Sequence, residues 1–167
     1  MDTKIVLLGG NSHENKDWIE RISRLLPVPT HTVVYKHWKN NAQLINLDAE
    51  SLRLEQLKPA VVFAKSAGIL VTLKGVFERK IAPTYCIFAG VPLHWSEKNN
   101  FPLLQWLMKW NIPTTFIQNS HDPTCSAEEL KELLNECQVK NHKLTTLRGE
   151  THDYPVEEVV NSIKEHV

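Results

Sequence analysis

The sequence has no excess of charge of either sign, which argues against several classes of partner. Its 167 residues include 19 Lys and Arg and 19 Asp and Glu, so the net charge is zero with neutral histidines. The chain contains no basic block or stripe of the kind that binds nucleic acid or a membrane surface. Long apolar runs are also missing, and no window approaches the length of a membrane span. We therefore expect neither a nucleic-acid partner nor a membrane association.

Cysteine is scarce, and the cysteines that occur form no recognisable pair. Cys86, Cys125 and Cys137 are odd in number and include no Cys-x-x-Cys motif. We therefore interpret them as structural thiols of a reduced, cytoplasmic protein. The apolar segment that precedes Gly9 is too short for the core of a signal peptide and lacks a cleavage site. It is interpreted as a first strand.

Metal-binding spacings are also absent from the sequence. None of the eight histidines belongs to a His-x-x-x-His or His-Glu-x-x-His motif with carboxylate support. His31 and His37 flank a strand-like segment, and we interpret them as surface or core-edge residues. The sequence therefore predicts neither a metal site nor a cofactor.

Short strand-like runs alternate with amphipathic helical segments along the whole chain. Strands are predicted by runs of β-branched and aromatic residues at 4–8, 30–38, 60–64, 83–89, 114–118 and 142–147. Apolar residues at helical spacing lie between these runs, and Ser96 is expected to cap one such helix, which extends to Trp110. This alternation predicts one domain over residues 1–167. Its fold class is α/β, a mostly parallel open sheet of about six strands with helices on both faces.

One serine lies on a predicted sharp turn between a buried strand and a buried helix. Residues 64–68 read A-K-S-A-G, close to the nucleophile elbow G-x-S-x-G, whose small flanking residues let backbone pack against backbone. The alternative is that Ser66 only caps the helix that follows it. Lys65 is expected to point away from the serine, so a Ser–Lys dyad is not expected.

In a parallel α/β sheet, functional groups gather at the carboxyl ends of the strands. The residues that follow the predicted strands are Gly10, Asn11, Ser66, His94, Asp122 and His152. A serine hydroxyl needs a base to remove its proton, and the base needs a partner that fixes its tautomer. The order Ser66, Asp122, His152 along the chain is the order of the triad in α/β-hydrolases.

On these residues the chain resembles the α/β-hydrolase superfamily, in particular its small dienelactone-hydrolase-like or minimal serine esterase members. Four segments carry the resemblance: I-V-L-L-G-G-N, V-V-F-A-K-S-A-G, P-T-T-F-I-Q-N-S-H-D-P and R-G-E-T-H-D-Y. The resemblance implies Ser66 as nucleophile, His152 as general base and Asp122 as the acid that orients the base. It also implies that the backbone N–H groups of Ala67 and Asn11 form an oxyanion hole.

The sequence departs from this family at several points. Ala64 stands where the family usually has glycine, and Gly9 stands where it usually has histidine. The resemblance also implies a reduced sheet with little or no lid, and therefore an open site for a small substrate. His94 and Trp95 follow a predicted strand and are candidates for the mouth of that site.

The remaining site residues have plain alternatives that the sequence leaves open. Asp122 precedes a proline, as in a common turn, and His152 lies in a glycine-containing loop where it could be solvated. His121 is not favoured as the base, because adjacent residues point apart. Asp153 is interpreted as the cap of the last helix, and Asn11 could be an ordinary loop residue.

The sequence as a whole predicts a serine hydrolase that cleaves a small carboxylic ester or thioester through an acyl-enzyme on Ser66. A non-catalytic interaction module on a degenerate α/β-hydrolase fold is the alternative, and the departure at Ala64 motivates it. A nucleotide-binding domain is disfavoured, because Gly9 and Gly10 do not belong to a G-x-G-x-x-G motif. The oligomeric state is left open.

Overall fold

A computed structural model describes residues 4–40 and 42–167. Six parallel strands form one sheet in the order β2-β1-β3-β4-β5-β6. The strands are β1 (Ile5–Leu8), β2 (Thr30–Thr32), β3 (Val61–Lys65), β4 (Tyr85–Ala89), β5 (Thr114–Asn119) and β6 (His142–Leu147). The predicted parallel sheet of about six strands is therefore confirmed.

Helices cover both faces of this sheet. They are α1 (Asn15–Leu25), α2 (Lys36–Lys39), α3 (Leu47–Leu57), α4 (Ala67–Phe77), α5 (Leu93–Lys98), α6 (Leu103–Leu107), α7 (Ala127–Glu136) and α8 (Val156–Lys164). α1 and α8 pack on one face in a cluster of buried apolar side chains. A second and larger cluster on the other face includes side chains of α3, α4, α6 and α7. None of the helices in the described ranges is long and apolar enough to cross a membrane.

Strand β3 lies inside the sheet and is buried along its whole length. It pairs with β1 on one side and with β4 on the other. Successive side chains of a strand point to opposite faces, and Val62 and Ala64 accordingly join the larger cluster while Val61 and Phe63 join the smaller one. Continuous apolar sequence is therefore what this position in the sheet requires.

The predicted strand 30–38 is wrong beyond its first residues. β2 ends at Thr32, and one further ladder bond runs from Val33 N–H to the Leu7 carbonyl at 3.0 Å. β2 is an edge strand that pairs only with β1, and β1 ends at Leu8. Beyond that point the chain has no strand to pair with, and it turns out of the sheet to form α2.

Two predicted helix caps are also wrong. Ser96 lies inside α5, where its buried hydroxyl donates to the carbonyl of Pro92 at 2.6 Å. The predicted helix that extends to Trp110 is two short helices, α5 and α6. The residue that precedes α8 is Pro155, which makes no side-chain cap, so Asp153 does not have the predicted capping role.

Candidate active site

The turn between β3 and α4 holds Ser66 in an uncommon backbone conformation. Its φ is 51° and its ψ is −116°, values that few residues other than glycine adopt and that store strain. Hydrogen bonds fix the turn on both sides. Ser66 N–H donates to the carbonyl of Ala89 at 3.1 Å, and the Ser66 carbonyl accepts from Ile69 N–H at 2.9 Å. The serine therefore lies at the carboxyl end of the sheet, on the bend that the sequence predicted.

Gly68 permits this bend because α4 passes very close to β1. A Cβ atom on Gly68 would lie 2.7 Å from Cβ of Leu8, 2.9 Å from the carbonyl oxygen of Gly9 and 3.0 Å from the hydroxyl of Tyr35. No side chain fits at such distances. Glycine at the end of the A-K-S-A-G segment is therefore required by helix–strand packing.

The structure brings the side chains of Ser66, Asp122 and His152 together from the ends of three strands. His152 Nε2 lies 2.9 Å from Ser66 Oγ, and His152 Nδ1 lies 2.7 Å from Asp122 Oδ2. A carboxylate can only accept, so Nδ1 carries the proton. Nε2 is then free to accept from the serine hydroxyl, which is the tautomer that a general base needs.

Asp122 is buried, and its carboxylate accepts four hydrogen bonds. The donors besides His152 are the backbone N–H and the hydroxyl of Thr124, both to Oδ1 at 2.8 Å, and the hydroxyl of Tyr154, to Oδ2 at 2.8 Å. Burial alone would raise the pKa of Asp122. The hydrogen bond and charge of His152, with the bonds from Thr124 and Tyr154, outweigh burial and hold that pKa below its ordinary value. The carboxyl group is therefore ionised where it faces the imidazole.

Asn119 supports the loop that carries His152, and the sequence analysis did not identify it. Its buried side-chain amide donates to the carbonyls of Thr151 and Asp153, each at 2.9 Å. Its backbone N–H donates to the hydroxyl of Tyr154 at 3.0 Å. The residues on both sides of His152 are thereby tied to the end of β5. The position of Asn119 directly after the predicted strand 114–118 is the only sequence signal for this role.

Gly90 forms the surface against which the His152 ring packs. Its φ is +71°, and a Cβ atom would lie 2.9 Å from Cε1 of His152 and 2.7 Å from Cε2 of Tyr154. Both the backbone conformation and the space therefore require glycine. In the sequence Gly90 only marks the end of a strand.

The loop after β1 brings Asn11 to the same site. Its carbonyl oxygen accepts from Nε2 of His37 at 2.6 Å and from Nε1 of Trp38 at 2.9 Å. Its side chain accepts from Ile45 N–H at 2.9 Å and donates to the Gln43 carbonyl at 2.7 Å. Within residues 4–40 and 42–167, its backbone N–H makes no hydrogen bond. His37, predicted to be a surface or core-edge residue, is buried and bonds to this loop directly.

Ala67, the other predicted oxyanion donor, is the first residue of α4 and follows Ser66 directly. The first N–H groups of a helix have no partner within the helix. They also carry the positive end of the helix dipole. The Ala67 N–H is therefore available for a negatively charged oxygen at the serine.

A cavity of about 250 Å³ lies over the serine. It is lined by Gly10, Asn11, Ser12, Asn15, Lys65, Ser66, Trp95, Thr124, His152 and Asp153. Trp95, one of the two residues predicted at the mouth, reaches this cavity from α5.

His94, the other predicted mouth residue, is not among the residues that line this cavity, and its role at the mouth stays a prediction. Its ring lies between the carboxylates of Glu129, at 3.0 Å, and Glu97, at 3.3 Å. Hydrogen bonds to Glu129 and to Glu97 raise the pKa of His94.

The described ranges hold no group of three metal-ligating side chains that could bind an ion.

Lys65 lines the cavity, a position that the sequence analysis did not anticipate. The side chain is 7% exposed; its Nζ donates to Oδ1 of Asn15 at 3.1 Å and lies 5.1 Å from the ring centroid of Trp18. Burial lowers the pKa of Lys65, and nearby carboxylates, of which Asp153 has the largest effect, oppose that shift. The ammonium group contacts α1 rather than Ser66.

Comparison with known proteins identifies solved structures of similar fold. No protein-family model and no curated protein matches the sequence, but several solved structures match its fold. An uncharacterized protein from Bacillus cereus ATCC 10987 has a TM-score of 0.72 at 17% identity, over 99% of this chain and 59% of that one. A cold-adapted esterase from an Arctic intertidal metagenomic library has a TM-score of 0.66 at 15% identity, over 98% and 82%. An alpha/beta hydrolase enzyme from a Medee basin deep-sea metagenome library has a TM-score of 0.64 at 12% identity, over 100% and 91%.

The chain has the α/β-hydrolase fold. The resemblance inferred from the sequence is therefore confirmed at the level of the fold, while the dienelactone-hydrolase-like subtype stays a prediction. The chain spans 59% of the length of the Bacillus cereus protein. The cytoplasmic location also stays a prediction.

Proposed function

We propose that this α/β-hydrolase-fold protein is a serine hydrolase that cleaves a small carboxylic ester or thioester. The continuous chain of hydrogen bonds from Ser66 Oγ through His152 to Asp122 carries the proposal. Such a chain turns a weakly nucleophilic hydroxyl into an attacking group. The description of two structural neighbours as an esterase and an alpha/beta hydrolase enzyme supports the same reaction class.

In the proposed reaction, His152 Nε2 takes the proton of Ser66 Oγ while that oxygen attacks the substrate carbonyl carbon. The protonated imidazole then gives this proton to the leaving alcohol or thiol as the bond from the carbonyl carbon breaks, and an acyl-enzyme remains. Water attacks the acyl group, loses a proton to His152 and releases the acid. The serine oxygen recovers its proton from the imidazole. Asp122, held ionised by its hydrogen bonds, stabilises the imidazolium in both steps.

The negative charge that develops on the carbonyl oxygen needs preorganised donors. We assign this role to the backbone N–H groups of Ala67 and Asn11, which lie on the α4 side and the β1 side of the serine. Donors of this kind often supply the largest single contribution to catalysis, because they need no reorganisation when the charge forms.

The cavity favours a small substrate. Its volume of about 250 Å³ is at or below the lower limit for sites that enclose drug-sized ligands. Trp95 provides one wall and limits the acyl or alcohol group on that side. We therefore expect short-chain esters to be preferred.

A fluorophosphonate probe tests the proposal, with Ser12→Ala as a matched control. Ser12 lines the same cavity as Ser66, but its hydroxyl accepts from Nδ2 of Asn15 at 3.0 Å, whereas the hydroxyl that bonds to His152 Nε2 is that of Ser66. Wild type and Ser12→Ala should both be labelled, and Ser66→Ala should not. Equal labelling of Ser66→Ala, or no labelling of wild type, would overturn the proposal. A series of p-nitrophenyl esters should show the highest kcat/KM for the acetate or butyrate.

A further inference from the structure

We infer that His37 and Trp38 are positioning residues, which hold Asn11 so that its backbone N–H points to the oxyanion. This inference rests on the proposed function and extends it to α2. Among the described residues, the hydrogen bonds of the two ring nitrogens that face the loop run to Asn11, while those of the imidazole run to Ser66 and Asp122. They act through the loop after β1.

Two ring nitrogens converge on a single carbonyl oxygen. His37 Nε2 lies 2.6 Å and Trp38 Nε1 lies 2.9 Å from the oxygen of Asn11. A carbonyl oxygen has two lone pairs, so both of its acceptor positions are taken. The two side chains are 7% and 5% exposed, and water therefore competes little for these bonds.

The state of the His37 ring supports this role. The Asn11 carbonyl can only accept, so Nε2 must carry the proton of a neutral ring. Nδ1 is then buried without a hydrogen-bond partner among the described residues. A buried polar atom without a partner costs folding free energy, and a histidine at this position is explained by the bond that its other nitrogen makes.

Residues on both sides of His37 and Trp38 also anchor the loop after β1. In the part of the chain that the structure describes, five hydrogen bonds join positions 35, 37, 38, 43 and 45 to Gly9 and Asn11. Besides the two to the Asn11 carbonyl, they are the bond from Tyr35 hydroxyl to the Gly9 carbonyl at 2.8 Å, and the bonds of the Asn11 side chain with Gln43 and Ile45.

With its carbonyl and its side chain both fixed, Asn11 has one polar group left, the backbone N–H. Asn11 also lines the cavity together with Ser66. The bonds of its side chain and its carbonyl place Cβ and the carbonyl carbon of Asn11, and the tetrahedral geometry at Cα then places its nitrogen. The bond from the Tyr35 hydroxyl to the Gly9 carbonyl restrains the chain on the other side of that nitrogen. Together these bonds restrict the direction of the Asn11 N–H, which is the preorganisation that an oxyanion donor needs.

A loss of this anchorage should affect the transition state more than the bound substrate. The oxyanion exists only after the nucleophile attacks, so a misdirected donor raises the barrier while substrate binding is little changed. The expected signature is a lower kcat with a nearly constant KM.

The test is Trp38→Phe, with Trp110→Phe as its matched control. Trp110 is also 5% exposed, and its Nε1 also makes a single hydrogen bond at 2.9 Å, to Thr114 Oγ1 beneath another part of the sheet. Both substitutions keep a ring and remove one donor. We expect Trp38→Phe to lower kcat about tenfold with KM within about twofold, and Trp110→Phe to leave both unchanged. The affinity for a trifluoromethyl ketone, which forms an oxyanion on Ser66, should fall about tenfold in Trp38→Phe only.

His37→Phe provides a second, independent variant in case Trp38→Phe folds poorly. It removes the Nε2 donor and also the unpartnered Nδ1, so kcat should fall while the melting temperature stays close to that of wild type. An unchanged kcat and ketone affinity in the folded variant would overturn the inference. An equal loss in Trp110→Phe would also overturn it, because the effect would then be general loosening. If wild type itself hydrolyses no ester and is not labelled by fluorophosphonate, the proposed function fails rather than this inference.

Discussion

The candidate site has two sides that are held in different ways. The acid–base side consists of Asp122 and His152 with their hydrogen-bond partners at the ends of β5 and β6. The loop side consists of the loop after β1, which carries Asn11, and the α2 segment that anchors it. On the acid–base side a full negative charge is buried and accepts four hydrogen bonds. On the loop side the proposed oxyanion donor is a neutral peptide group, for which only the direction of the N–H matters.

This difference sets the expected size of the effects. A buried carboxylate must be fully paired, because a lost partner leaves a charge in an apolar environment. A change on the acid–base side therefore alters both the electrostatics and the geometry of the site. A change on the loop side alters the geometry alone and should have a smaller effect.

The largest effect is expected from Asp122→Asn, which removes the charge of the acid–base side and keeps its shape. The imidazolium that forms during the reaction would lose its counter-charge, and the Nδ1–H tautomer would no longer be enforced. We expect kcat/KM to fall about 10³- to 10⁴-fold. Asp153→Asn is the control, because Asp153 lines the cavity but makes no hydrogen bond to the imidazole. A similar loss in Asp153→Asn would contradict the assignment.

The pH dependence of stability in wild type and Asp122→Asn gives a second test. The pKa of Asp122 is below its ordinary value in the folded protein, so its ionised form stabilises the fold at neutral pH. This contribution is lost as the pH falls from the ordinary aspartate value, about 3.9, through the lowered folded-state value. Wild type should lose free energy of unfolding in this range more steeply than Asp122→Asn. Parallel curves from urea titrations would show that the carboxylate has no stabilising partners.

A smaller effect is expected from Gly90→Ala, which changes the geometry of the acid–base side without touching its charge. The added methyl would lie 2.9 Å from Cε1 of His152, and the ring must move away from the serine. With the positive φ, we expect a loss of about 1–3 kcal/mol in the free energy of unfolding. We also expect kcat to fall about 10- to 100-fold, since small misplacements are costly in catalysis.

Gly75→Ala is the control for this variant. Gly75 lies within α4. An added Cβ would lie 3.1 Å from the side chain of Ile81, away from the His152 ring. Turnover should equal that of wild type. If Gly90→Ala retains full turnover, the position of the imidazole is less strictly set than the contacts with Gly90 indicate.

The smallest effect is expected from Lys65→Met, which removes a buried charge that lines the cavity. In the folded protein, burial lowers the pKa of Lys65 from its ordinary value of 10.5. Folding therefore costs free energy while the ammonium is charged, and this cost is relieved as the pH rises from the lowered value towards 10.5. Wild type should gain stability relative to Lys65→Met as the pH rises through this range, measured by thermal unfolding.

Lys74→Met serves as a control of opposite sign. Burial also lowers the pKa of Lys74, but hydrogen bonds to Glu78 and Asp48 outweigh burial and raise it. Its contribution is present at neutral pH and is lost as the pH rises through the raised value. If both lysine variants change the pH dependence in the same direction, burial does not lower the pKa of Lys65 as described.

The two sides of the site also differ in how far the sequence predicted them. The serine, the aspartate and the histidine each follow a strand-like run, and their order along the chain pointed to a triad. Their partners Thr124, Tyr154 and Asn119 were not identified, because threonine, tyrosine and asparagine are ordinary residues in loops and at strand ends. Thr124 bonds to Asp122 within the loop after β5. Only the alignment of β5 beside β6 brings the Tyr154 hydroxyl to the same carboxylate and the Asn119 amide to the loop that carries His152.

On the loop side, the composition of residues 30–38 predicted the wrong secondary structure for part of that segment. Residues 30–38 have strand-like composition, yet the structure ends β2 at Thr32 and forms α2. The composition was compatible with a strand, but an edge position beside the short strand β1 supplies no partner beyond that point. His37 and Trp38 therefore turn towards Asn11.

The sequence by itself determined the alternation of strands and helices, the bend at Ser66 and the strand ends that carry Asp122 and His152. These are properties of neighbouring residues, expressed in apolar spacing and in the small side chains that a tight turn requires. The tertiary structure alone decided that Tyr154 pairs with Asp122, which side chains hold Asn11 and that Lys65 reaches the cavity. Those contacts join residues far apart in the chain, and strand order, strand length and the packing of α1 and α2 bring them together.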